Sequence, residues 1–257
     1  MPKPNMIHGL ARFSLAFLIC LYLASVSFAQ GAKGPQDPFS QGVEALNKGD
    51  AAAAVEKFTE ALKQDPELVE AYIDRGIAHL RLEHDKEAVD DFDKALELAP
   101  EASEAYYNRG LAYSRQGLYA RAVEDYTQAL KYAPGDWQAY YNRGNAYMDL
   151  GKWPEALADY HRALQYHPDS PQIYHNRGLA YLQQGQTDKA LADFDKTLAL
   201  DPNFVRAYFN KAQALDKLGR PEAAAAEYRQ FLKTGNPTTD AALLKQALDR
   251  LQVLERK

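Results

Sequence analysis

The chain has 257 residues, with 30 Lys+Arg against 35 Asp+Glu, a formal charge of −5, 46% apolar and 25% charged residues. This balance excludes collagen, a polytopic membrane protein and a disordered tail, and its acidity speaks against nucleic acid, which rewards a basic footprint. A single Cys rules out an intramolecular disulfide, a thiolate zinc site and a Cys-X-X-Cys pair.

Residues 1–29 read as a secretory signal. Lys3, His8 and Arg12 occur with no acidic residue, and an apolar run from Phe13 to Phe28 ends in Ser27-Phe28-Ala29, which predicts cleavage after Ala29. The run is shorter than the roughly 20 residues that span a bilayer. We therefore expect export to the periplasm or the medium with no membrane insertion after cleavage, a retained anchor being the alternative. Ile19 stands before Cys20 where a lipoprotein needs a small residue. Residues 30–37 form a short linker.

From there one period governs the chain. Gly42, Gly76, Gly110, Gly144 and Gly178 are spaced 34 apart, with Ala212 in the sixth place. Ala54, Ala88, Ala122, Ala156, Ala190 and Ala224 follow 12 residues later, and four beyond those stand Phe58, Phe92, Tyr126, Tyr160, Phe194 and Tyr228. Pro66, Pro100, Pro134, Pro168 and Pro202 close five units, and Pro237 closes the sixth one residue late. Tyr72, Tyr106, Tyr140, Tyr174 and Tyr208 precede the Gly places by four, which accounts for much of the unusual count of 17 Tyr.

Each unit carries two apolar stretches at helical spacing, a helix A and a helix B. Gly inside a helix costs about 1 kcal/mol relative to Ala, so its repetition predicts a close approach of A to B. Gly49, Gly117, Gly151, Gly185 and Gly219 fall in the A–B turn, where a left-handed residue ends a helix. Glu83 takes that place in the second unit, which predicts a strained or differently shaped turn. Asp37-Pro38 supplies an N-cap and a first-turn proline. Residues Asp240 to Arg256 read as an amphipathic helix with Leu243, Leu244, Ala247, Leu248, Leu251 and Leu254 on one stripe. It is expected to cap the array, or else to dock a partner.

This order of aromatic, Gly, aromatic, Ala, aromatic and Pro resembles the tetratricopeptide repeat family over residues 35–237, in the style of its exported bacterial members. The resemblance implies an all-α, right-handed superhelical solenoid. Six tandem units are expected within residues 38–237, starting near residues 35, 69, 103, 137, 171 and 205, with a capping helix over 238–257.

Two registers bear on function. Arg75, Arg109, Arg143, Arg177 and Lys211 stand just before the Gly places, and Asp91, Asp125, Asp159, Asp193 and Glu227 follow 16 residues later. The first unit has Gln41 and Lys57 instead, so base and acid change together, which predicts interhelical ion pairs rather than an anion-binding strip. Beside the Arg series run Asn108, Asn142, Asn176 and Asn210, preceded by Tyr107, Tyr141, His175 and Phe209, with Asn145 one turn on and Arg206 in the last unit. Amides offer donors and acceptors to an extended peptide backbone, and aromatic rings add apolar area at low entropic cost. These residues are the candidate binding wall, the bland alternative being that the Asn side chains bridge turns locally.

Tyr-Asn-Arg at 107–109 and 141–143 looks like the centre of the family's two-carboxylate clamp for chaperone tails. The Lys that the clamp needs is missing, its places being held by Phe39, Ile73 and Tyr107. No metal spacing joins the His residues, His175 reads as a groove residue, and no Ser elbow or phosphate loop occurs. The sequence therefore predicts a non-catalytic adaptor with a protein or peptide partner, without cofactor, metal or nucleic acid. A self-associating structural module is the alternative.

Overall fold

The computed structural model describes residues 37–256. The expected signal over 1–29 and residues 30–36 of the expected linker lie outside the described residues. Thirteen α-helices and no strand occur among them. Six are helices A: α1 (Pro38–Asn47), α3 (Val69–Arg81), α5 (Ser103–Arg115), α7 (Trp137–Asp149), α9 (Pro171–Gln183) and α11 (Val205–Lys217). Their partners are α2 (Ala51–Gln64), α4 (Asp85–Leu98), α6 (Tyr119–Tyr132), α8 (Trp153–Tyr166), α10 (Thr187–Leu200) and α12 (Pro221–Thr234), and α13 (Ala241–Glu255) follows. Each helix packs chiefly on its neighbours in sequence, and successive helices A also touch, so residues 37–256 form an all-α solenoid of stacked pairs.

The repeated glycine has a direct cause. A Cβ on Gly144 would lie 2.8 Å from the ring of Tyr160, and at Gly42, Gly76, Gly110 and Gly178 it would meet the ring of Phe58, Phe92, Tyr126 or Phe194 at 2.6 to 2.8 Å. These rings are fully buried, so each aromatic of helix B lies against the glycine of its own unit and cannot swing aside. Ala88, Ala122, Ala156 and their counterparts, also fully buried, let the two helices close over that contact.

The A–B turns end in Schellman motifs. In the first, the Asp50 amide donates to the Ala45 carbonyl and the Gly49 amide to the Leu46 carbonyl. Glu83 adopts φ 62° and makes the same two bonds through its own amide and that of His84. The second turn is thus strained rather than reshaped. At the start of the stack Asp37 caps α1, accepting from the Ser40 amide at 3.1 Å.

The last helix continues the pattern by half a unit. Ala247, 35 residues after Ala212, is fully buried against the Phe209–Tyr228–Phe231 cluster. Two ion pairs tie α13 to α11, Arg206–Asp240 at 3.1 Å and Arg250–Asp216 at 2.5 Å. Helix α13 covers the open side of the sixth pair in the position of one more helix A.

Candidate functional site

The basic register is an ion-pair spine. Arg143 donates through Nε and Nη2 to the two carboxylate oxygens of Asp159, both at 2.8 Å, and Arg109–Asp125 and Arg177–Asp193 repeat the fork. Arg75 holds Asp91 and Lys211 holds Glu227 in the same places. The base also reaches back to helix B of the preceding unit: Arg75 to Thr59, Arg109 to Asp93, Arg143 to Thr127 and Lys211 to Asp195. At the remaining junction that place holds His161, whose Nδ1–H donates to the Leu157 carbonyl while Nε2 accepts from the Tyr181 hydroxyl. The guanidinium groups of Arg75, Arg109, Arg143 and Arg177 also lie 5.3 to 5.7 Å from the ring centres of Tyr72, Tyr106, Tyr140 and Tyr174. Every one of these cations is paired with a carboxylate, which leaves no anion-binding strip there.

The amide register behaves differently. Asn142 Nδ2 donates to the Tyr107 hydroxyl at 2.9 Å, Asn176 Nδ2 to the Tyr141 hydroxyl at 3.0 Å, and Asn210 Nδ2 to Nε2 of His175 at 2.8 Å. Each bond joins one unit to the next across 35 residues. Asn145 gathers two more, its Oδ1 accepting from Asn176 Nδ2 and from the Tyr160 hydroxyl. The Nδ1–H of His175 faces Asn176 Oδ1 at 3.2 Å, which fixes the neutral tautomer with Nε2 as acceptor. Burial lowers the His175 pKa to about 4, in keeping with a ring that must stay neutral to accept from Asn210. Tyr107 and Tyr141 are pushed upward by the same cause and remain phenols.

The structure places the expected wall residues in two layers. Tyr107, Tyr141, Asn142, Asn145, Asn176 and Asn210 are part-exposed, and Arg206 is exposed but paired with Asp240. Asn108, His175 and Phe209 are buried. The residue 35 before Asn108 is Ile73, which has no hydroxyl, and Asn108 Nδ2 donates to the Glu104 carbonyl in its own helix. Asp74 occupies the amide place of the second unit, 35 residues after Phe39, with Glu104 and Glu70 near it. Burial first, then those two acids, raise its pKa from 3.8 to about 7.

Tetratricopeptide repeat family models match residues 39–103 and 175–241, 103–136, 125–158 and 144–185, together covering the described stack almost end to end. The chain belongs to the tetratricopeptide repeat family. Among solved structures it resembles MamA, at 27% identity over 63% of this chain and 94% of that one, with a TM-score of 0.60. It also resembles YrrB, described as a tetratricopeptide repeat protein with an unusual peptide-binding site, at 24% identity over 76% and 100% of the two chains, TM-score 0.66. A tetratricopeptide repeat protein of Parabacteroides merdae shares 19% identity over 85% and 91%, TM-score 0.67. No curated protein sequence matches the chain. In this tetratricopeptide repeat protein the six-unit stack supports a protein-interaction scaffold, with helix A presenting the polar ladder.

Proposed function

We propose that the chain is a non-catalytic adaptor, acting outside the cytoplasm, that holds an extended segment of another protein along its helix-A face. The ladder of Tyr107–Asn142, Tyr141–Asn176 and His175–Asn210 supports this reading most strongly. Each bond uses one half of an Asn amide to lock the side chain, and Asn142 Oδ1 and Asn210 Oδ1 keep no partner among the described residues. Polar groups fixed in one rotamer bind a peptide backbone without the entropy cost of ordering flexible side chains.

The test is photo-crosslinking from single benzophenone side chains. Gln138 and Gln172 lie one turn before the ladder residues of α7 and α9, whereas Lys131 and Arg162 are exposed on helices B. We expect a protein, itself exported, to be captured from positions 138 and 172 and not from 131 and 162. Capture that favours the helix-B positions, or none at all, would overturn the assignment. A self-associating module is the second reading, favoured by Leu248 and Val253, which are 46% and 44% exposed on α13. In that case the crosslinked species would be copies of this chain.

A further inference from the structure

A cleft of about 400 Å³ opens where α9, α11, α12 and α13 meet. Its volume lies near the lower end of the range for small-ligand sites. Leu182 and Phe209 give it an apolar floor, and Tyr228 closes it from α12. Tyr228 stands in the place that rings occupy in all six units. In the third and fourth units its counterparts are satisfied, Tyr126 with Ser114 at 3.2 Å and Tyr160 with Asn145 at 2.8 Å.

The corresponding partners of Tyr228 would be Asp216 and Gln213. Asp216 is taken by Arg250 through both carboxylate oxygens, and Gln213 makes no hydrogen bond among the described residues. Tyr228 is only 3% exposed, yet its hydroxyl has no hydrogen-bond partner among those residues and gives onto the cleft. Burial raises its pKa to about 12, so it stays a donor across the physiological range.

The other polar groups at the mouth are equally unspent. The Gln246 amide makes no hydrogen bond among the described residues and Lys217 makes no ion pair there, although both line the cleft. With Asp216 neutralised by Arg250, the Lys217 ammonium leaves the cleft with an excess of positive charge. A buried phenol donor, two idle amides and a cation over an apolar floor are the complement of one kind of ligand.

We propose that this cleft binds an apolar carboxylate, a compact hydrocarbon or aromatic group carrying a carboxylate beside it. The apolar part rests on Leu182 and Phe209, and the carboxylate accepts from Tyr228 and pairs with Lys217. A free small acid and the last residue of a peptide both have this chemistry, and the experiment separates them.

The full chain, labelled with nitrogen-15, is titrated with phenylacetate, with phenylacetamide and with an acetylated tripeptide ending in Phe, and followed by NMR. Phenylacetate or the tripeptide should shift the side-chain amides of Gln213 and Gln246 while leaving Asn142 and Asn176 in place. The tighter of the two identifies the source. Phenylacetamide should bind at least about tenfold more weakly, the loss of one charge-assisted contact. Tyr228→Phe should lose at least about tenfold in affinity yet fold normally, because Phe58, Phe92 and Phe194 fill the same place. Lys217→Ala should weaken the acids and leave the amide unchanged. Equal binding of acid and amide, equal binding by Tyr228→Phe, or no shift with any probe would overturn the proposal.

Discussion

Position 83 shows how a single side chain, at a backbone angle common to all six turns, separates one unit from its five neighbours. A left-handed conformation costs a residue with a Cβ roughly 1–2 kcal/mol, and Gly returns part of that gain through its looser unfolded state. With Glu83 at φ 62° making the same turn bonds as the glycines elsewhere, Glu83→Gly should stabilise the protein by about 0.5–1 kcal/mol. Urea titration reads the change, and a lower midpoint would refute the strain. The sequence announced this residue, since one non-glycine among five glycines at a fixed spacing is visible without coordinates. It also announced the helix-interior glycines. The partner pressed against them was not legible, because spacing shows that two helices approach but not that a ring of the same unit fills the gap.

Between elements, the fork from Arg143 on α7 to Asp159 on α8 is half buried, and Thr127 on α6 takes the remaining guanidinium edge. Desolvation limits what such a pair adds to stability overall, but removing one partner alone strands the other. A double-mutant cycle with Arg143→Ala and Asp159→Ala should therefore give a coupling energy of about 1–3 kcal/mol by chemical denaturation. Zero coupling would show that the two side chains act independently. This pairing was readable because base and acid change together in the first and sixth units. The Tyr–Asn and His–Asn bonds were not readable, since they join unlike places in successive units. A reading that lines up like with like at 34 residues passes over a contact at 35. The candidate wall was accordingly found by residue type, while its division into buried struts and free edges needed the packed helices.

At the scale of the whole molecule the acid of the second unit sets a pH dependence. Asp74 is raised from 3.8 to about 7, so between those values the folded chain retains a proton that the unfolded chain releases. Stability contributed by this site therefore falls as pH rises from about 4 to about 7. His175, lowered from 6.5 to about 4, has the opposite sign and loses its contribution as pH falls through that window, so the difference between wild type and Asp74→Asn isolates the acid. Asp74→Asn, which restores the amide found in the next four units, should raise stability at pH 7.5 on the order of 2 kcal/mol and change little at pH 3.5. Thermal unfolding at the two pH values measures it, and an equal gain at both would show that charge is not the cause.

The Tyr–Asn and His–Asn bonds recur at an offset of 35 residues and most base-to-helix-B bonds at 16, so successive junctions largely repeat one pattern. Excising residues 137–170 would bring Tyr107 opposite Asn176 and Thr127 opposite Arg177, so that these two severed bonds find substitutes of the same kind, whereas the Asn176–Asn145 bond would meet Leu111 and be lost. A gene that copies or loses one such block lengthens or shortens the protein with most bonds of the seam remade.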